Sequence, residues 1–269
     1  MNKVFIATVI CIVLILTSFE NKKVKNGICG IRNTTYSNGE EITFRVYYEL
    51  AGIYVNAGRV IFSNRLEMLN NRPVYHITGD GKTHSSYDWI YKVRDKYETF
   101  IDTATLQPIQ FIRNVNEGGY KKYEHILFDH KGNAANTNTG MFKIPNCVQD
   151  VLSAIYYARN IEFDKYTIGD RIPFNLFLDN EIFNMHIRYL GKEIIKTRYG
   201  TFHAIKFKPL LLKGTIFEGG EKMTVWVSDD KNHVPLRIES PIVVGSIKVD
   251  MMNYHQLRHP LSALVKLRN

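Results

Sequence analysis

The stretch EITFRVYYELAGIYVNAGRVIF, residues 41–62, alternates with a period of two. Ile42, Phe44, Val46 and Tyr48 fall on one side of an extended chain, and Thr43, Arg45, Tyr47 and Glu49 on the other. Ala51-Gly52 divides it into two runs, which therefore read as a β-hairpin. Working outward, the same alternation recurs in PVYHITG, YDWIYKVRDKYETFID, QPIQFIRNV and KKYEHILFD. Beyond residue 170 it resumes in RIPFNLFLD, EIFNMHIRYL, KEIIKTRY, TFHAIKFKPL, KMTVWVSD, VPLRIES and IVVGSIKVDMMNY. Turn-forming pairs separate the runs: Asn70-Asn71, Gly79-Asp80-Gly81, Gly118-Gly119, Asp179-Asn180 and Gly219-Gly220. About a dozen short strands at regular spacing predict a mainly β protein. The expected fold is a single domain of antiparallel strands forming a curved sheet, a sandwich or an open barrel.

One segment breaks the alternation. PNCVQDVLSAIYYARN, residues 145–160, places Val148, Val151, Leu152, Ile155 and Tyr156 on one face at helical spacing. Asn146 and Gln149 predict a capping box, Asp150 and Arg159 match the two ends of the helix dipole, and Asn160 is the expected stop. An amphipathic helix over about 146–160 must bury its stripe against the sheet.

The ends divide the chain further. Phe5 to Phe19 is an apolar run after Lys3, too short for an easy membrane span, and reads as a signal peptide over residues 1–18. An uncleaved anchor is the alternative. A leader follows over 19–38, an exported β domain over 39–256 and a tail over 257–269. Removing the signal lowers the net charge from +9 only to +8. No dense Lys/Arg block marks a nucleic-acid surface. The tail can pack on an open sheet edge or touch anionic lipid. The mature chain keeps Cys29 and Cys147, and an even pair in an exported protein predicts a disulfide. A catalytic thiol at Cys147 or two free thiols are the alternatives.

Five blocks in order resemble the exported bacterial domain-of-unknown-function 3108 family. They are GEEITFRVYYELAGIYVNAGRVIF, YKVRDKYETFIDTATLQP, CVQDVLSAIYYARN, the segment from YGTFHAIKFK to VPLRIE, and IVVGSIKVDMMNY. The resemblance, over Gly39 to Tyr254, implies an exported antiparallel β domain with one helix. It brings no catalytic residues.

The nine histidines show no metal-ligand spacing, and no nucleotide loop or nucleophile elbow is present. No cofactor is expected. Asp229-Asp230 reads as a hairpin turn, and Asp95 as a cross-strand ion-pair partner beside Arg94. The function these residues predict is non-enzymatic: a binding or assembly module of the cell envelope, with a periplasmic or envelope address. Its partner is a lipid or another envelope component. A ligand groove under the helix is expected to use Val148, Val151, Leu152, Ile155, Tyr156, Trp89 and Tyr91. One rival is an envelope-polysaccharide hydrolase or modifying enzyme using Asp95, Glu98 or Asp102. The other is a structural partner that pairs through an exposed strand edge.

Overall fold

A computed structural model describes residues 29–213 and 219–268. The segment read as a signal peptide and the leader as far as residue 28 lie outside the described residues. The hairpin that opens the chain is present as β1 (Glu41–Leu50) and β2 (Ile53–Leu69). An antiparallel meander follows: β3 (Arg72–Thr83), β4 (Arg94–Asp102), β5 (Pro108–Glu117), β6 (Tyr120–Asp129), β7 (Ala134–Thr137) and β8 (Gly140–Lys143). Then come a two-residue strand β9 (Val148–Gln149) and the single α-helix of the described residues, α1 (Val151–Arg159). A second meander runs through β10 (Arg171–Leu178), β11 (Glu181–Lys196), β12 (Gly200–Pro209), β13 (Thr224–Ser228), β14 (Pro235–Pro241) and β15 (Ser246–His255).

All sixteen strands form one sheet, joined in the middle where β1 pairs with β15. Every pairing is antiparallel except β9 with β10. The last strand, β16 (Leu264–Leu267), pairs with the start of β12, ahead of the part that β13 covers. The tail thus completes a gap in the sheet, and its Ala263 is buried.

Turn chemistry sets the register. Asn70-Asn71 and Asp179-Asn180 both hold positive φ at two successive residues, the requirement of a two-residue hairpin turn whose twist matches its strands. Asp229 to His233 make the turn between β13 and β14, where the Asp230 carboxylate accepts from Asn232 N and Ser228 Oγ. The glycine pair read as a turn at Gly79-Asp80-Gly81 is a correction: β3 runs straight through it, with Gly79 opposite Phe62 and Gly81 opposite Val60.

The sheet curls until its two ends approach. Phe142 on β8 and Phe128 on β6 each pack on Phe177 of β10 at 6.1 Å between ring centroids. Arg113 on β5 and Lys122 on β6 both grip Asp179 in the β10–β11 turn. Among the described residues no backbone hydrogen bond joins these ends, so the result is an open barrel closed by side chains. The helix lies inside the curl against β3, β4 and β10. Leu152 and Tyr156 are buried with Ile77, Phe111 and Ile126 of the sheet.

The helix begins later than its sequence predicts. Asp150, not Asn146, is the N-cap: its Oδ1 accepts from Leu152 N and Ser153 N, both at 2.8 Å, while Asp150 N donates to Ser153 Oγ. Residues 147–149 are committed elsewhere. Cys147 is bonded to Cys29, and Val148 and Gln149 pair with Asn175 and Leu176 of β10. The packed chain also starts upstream of Gly39. Tyr36 is fully buried edge-on to Tyr75 and Tyr156, and Thr34 N donates to Asn160 Oδ1.

Candidate functional site: an apolar cleft beside the helix

Between α1 and strands β2–β4 lies a cleft of about 300 Å³. Val151, Leu152 and Ile155 form its helical wall, and Val46, Val60, Phe62, Val93 and Tyr97 much of the sheet wall. One strand glycine, Gly81, gives it depth, and Gly58 and Gly79 let neighbouring groups pack closely beside it. Gly79 and Gly81 stand two apart on β3 and so point to the same, inner face, directly across from Phe62 and Val60. A Cβ at Gly79 would sit 2.9 Å from the Phe62 ring, so the ring fills that space; one at Gly81 meets only Val60 at 3.7 Å. Gly58 lies where the register of β1 against β2 shifts, leaving Ala57 as an extra residue. Such a bulge bends the strand away from its partner and widens the space beside it. The charged neighbours Arg59 and Lys82 are out of phase with Val60 and Gly81, so alternation turns them outward.

The helical wall is fixed in place by a polar contact. Thr99 Oγ1, on the inner face of β4, donates to Asp150 Oδ2 at 2.6 Å. Burial pushes the Asp150 carboxyl up to about 6, opposed by the hydrogen bonds from Thr99, Ser153 and Leu152. At the other end of α1, Arg159 is buried and pairs with Glu40 through both terminal nitrogens.

One acid faces the cleft. Asp95 lies opposite Gly81 on β4, half-buried, and accepts from Asn116 N at 2.9 Å. Burial, then a hydrogen bond shared with the Glu117 carboxyl, raises its pKa to about 7. The cross-strand ion pair expected of Asp95 is a correction: its partners are Asn116 N and the Glu117 carboxyl, while Arg94, on the opposite face, pairs with Asp88 at 2.6 Å.

The raised pKa has a checkable consequence. An unfolded Asp titrates near its ordinary value of 3.8. Between there and about 7 the folded chain keeps a proton that the unfolded chain has lost, so stability falls as pH rises through that window. Asp95→Asn imitates the protonated acid and should flatten that slope. At about pH 8 it should be more stable than the parent by roughly 1–2 kcal/mol, discounted for solvent screening, with little difference at about pH 4.5. Urea unfolding of both proteins at the two pH values measures it.

The structure divides the residues predicted to line a groove. Val151, Leu152 and Ile155 border the cleft. Val148 and Tyr156 do not: both are fully buried, Val148 in β9 and Tyr156 beneath the helix. Trp89 and Tyr91 are also corrections. Both lie on the loop between β3 and β4, where Trp89 stands in solvent and the Tyr91 ring covers Gly118. Their aromatic character says nothing about which way a loop faces. The acids of the hydrolase alternative do not converge. Asp95 faces inward, Glu98 faces outward to Lys96 and His76, and Asp102 accepts from Ala104 N and Thr105 N in a turn. A hydrogen-bonded Asp95–Glu117 pair also lacks the separation of about 5 to 9.5 Å that glycoside hydrolysis needs. Among the described residues no group of three or more His, Cys, Asp or Glu is placed to hold a metal ion. Gly58, Gly79, Gly81 and Asp95 shape the cleft, and no groove reading of the sequence included them. Glycine inside an alternating strand was the available signal, since it marks a bend or a close approach.

Fold and site together define a β protein of open-barrel type with a helix plugging its interior and an apolar cleft beside the plug. The chain belongs to the family described as Protein of unknown function (DUF3108), whose model matches residues 43–252. No curated protein matches the sequence. Among solved structures it is similar to a β-barrel-like protein of the domain of unknown function DUF1849 from Brucella abortus. The two share 7% identity at a TM-score of 0.54, over 84% of this chain and 100% of that one. A protein from Bacteroides fragilis NCTC 9343 described as exported, with a YmcC-like fold, aligns at 12% identity and a TM-score of 0.31, over 85% of this chain and 100% of that one. Only the first likeness bears on the fold.

Proposed function

We propose that this chain is an exported, non-enzymatic binding module of the cell envelope, and that the cleft beside α1 holds an apolar ligand such as an acyl chain. The observation that carries this reading is the glycine-floored space itself. A packed interior rarely leaves voids larger than a water molecule, and a mostly apolar pocket of this size with a few polar residues in its lining, here including Thr83, Asp95 and Tyr97, is the usual form of a small-ligand site. Asp95, protonated up to about neutral pH, supplies a hydrogen bond for the ligand's polar end. The address rests on the apolar N-terminal run, and the exported domain is taken as residues 39–256 after loss of residues 1–18. No helix among the described residues is long and apolar enough to cross a membrane.

Gly81→Leu tests the cleft. The residue has no positive φ and its Cβ has room, so the strand accepts a side chain that then fills the cavity. Binding of a fluorescent fatty acid should weaken by about tenfold or more, as one buried aliphatic group is worth about 1.5 to 3 kcal/mol. Equal binding by parent and variant, with no apolar molecule extracted from protein purified from its own envelope, would sink the reading.

A further inference from the structure

We propose that one end of the open barrel is a docking surface for an anionic lipid bilayer, entered by three neighbouring loop tips. Pairing places these tips together. β1 lies between β2 and β15, with Leu50 opposite Ile53 and Glu49 opposite both Tyr54 and Ser246. The β1–β2 and β14–β15 turns are therefore adjacent, and Tyr48 Oη donates to Val244 O across them. With Gly58 opposite Thr83, β3 ends five residues short of the β1–β2 turn, and His84 N donates to Ala57 O there. The β3–β4 loop thus stands beside the start of β2.

Each tip ends in large apolar side chains held in water. Ile53 is 70% exposed, Val243 67% and Trp89 82%, and Leu50, Ile90 and Val244 stand beside them. The turns at the opposite end are built from Asn70-Asn71, Lys131 to Asn133 and Asp229 to His233. Exposed apolar residues there, such as Leu66 and Met68, stand on a strand face and not on a turn. Single exposed apolar residues need no explanation, but a contiguous set of aromatic and aliphatic tips marks an interaction surface.

Charge selects the partner. The full chain carries +9, which opposes stacking of two copies and favours a negatively charged face. Lys92 follows the exposed tips of the β3–β4 loop and is itself exposed, whereas Lys248, 5.5 Å from the Tyr54 ring centroid, is paired with Glu239 at 2.9 Å. Of the acids at this end, Asp88 is neutralised by Arg94, while Glu49 keeps its charge among neutral donors. Glu49 accepts from Gly52 N and Ser246 Oγ, and Asp88 is clasped by Arg94 and Thr83. Apolar tips beside an exposed lysine, on a chain of net positive charge, suit a surface that is greasy inside and anionic outside, where a Trp ring settles at the headgroup level. The cleft reaches this end through Ala57, Thr83 and Val93, so a docked protein would meet lipid chains near the cleft mouth. The docking surface stands independently of what the cleft holds.

The chain contains its own reporter. Of its two tryptophans, Trp89 is exposed and Trp226 is 8% exposed. Vesicles of zwitterionic lipid with and without phosphatidylglycerol are the probe. Emission should shift to the blue and be quenched by brominated acyl chains only with the anionic vesicles, and added salt should weaken the effect. Trp89→Phe should bind equally in a flotation assay while losing the signal. Ile53→Asp and Val244→Asp, each on an exposed tip, should keep the parent's thermal midpoint and bind about tenfold or more weakly. Gly81→Leu should bind vesicles as the parent does, which separates this surface from the cleft. No spectral shift, or unchanged binding by both Asp variants, would overturn the proposal. So would a concentration-dependent dimer that either Asp variant abolishes, because the tips would then belong to a second copy.

Discussion

Replacing Arg159 with Met is expected to cost about 3 to 5 kcal/mol of stability, the usual loss when one partner of a buried ion pair is removed. The Arg159 and Glu40 side chains are 2% and 0% exposed. Arg159 also donates to Asn232 O through Nε and Nη2, at 3.2 and 3.1 Å, and its guanidinium lies 5.5 and 5.2 Å from the ring centroids of Tyr36 and Tyr156. Without the cation, the Glu40 carboxylate is left charged in a pocket built of rings. A helix-dipole role alone would be worth about 0.3 to 1 kcal/mol, so the size of the loss discriminates between the two roles. The double variant Glu40→Gln with Arg159→Met should recover much of it, since neither buried charge remains. Urea unfolding of the parent, both single variants and the double variant closes the cycle. A loss below about 1 kcal/mol in Arg159→Met would show that water reaches the pair.

The second large effect is at the disulfide. Cys29 and Cys147 are 118 residues apart in sequence and 5.6 Å apart between Cα atoms. In the chain-entropy model a cross-link closing so long a loop stabilises by about 4 to 5 kcal/mol. Locally it ties the arm that carries Tyr36 to the approach of α1. Changing both cysteines to Ser should therefore lower the urea midpoint by an amount of that order, and reductant should do the same to the parent but not to the variant. Cys147 also holds a positive φ of 60°, a conformation costly for a residue with a Cβ. Gly at 147, paired with Ser at 29, should be about 1 kcal/mol more stable than the double Ser variant. A double Ser variant as stable as the parent would mean that the unfolded chain gains no freedom from losing the bond.

The sheet was legible because its determinants are local. Alternation marks the strands, and residues such as Asn70-Asn71 and Asp179-Asn180 tolerate the left-handed backbone that a tight hairpin needs. The helical face around Leu152 was legible for the same reason. What stayed hidden depends on partners far away in sequence. Asn146 satisfies the local rules for a cap, but the bond at Cys147 and the pairing of Val148 with Asn175 take those residues out of the helix. Arg159 reads as a solvent-facing last-turn cation until Glu40, 119 residues distant, encloses it. Trp89 reads as groove lining only while the direction of its loop is unknown. Gly79 and Gly81 were mistaken for a turn because glycine is ambiguous between a reversal and a thin place in a strand.

The seam between β1 and β15 has a consequence for how the molecule is made. The groups that meet there, such as Glu49 and Ser246, are 197 residues apart. A chain emerging from its amino end can zip the first meander early, but one margin of β1 must then wait until β15, Ser246–His255, has been made. Contacts so distant form slowly, because closing the intervening chain costs entropy before it gains any binding. Throughout that wait FRVYY offers unpaired amides and carbonyls on a segment of high β-propensity, a template for pairing with a neighbouring molecule. Yield of this protein is therefore governed by the lifetime of an unfinished edge, and a holdase that shields Phe44 to Tyr48 should raise it more than any gain in the stability of the finished fold.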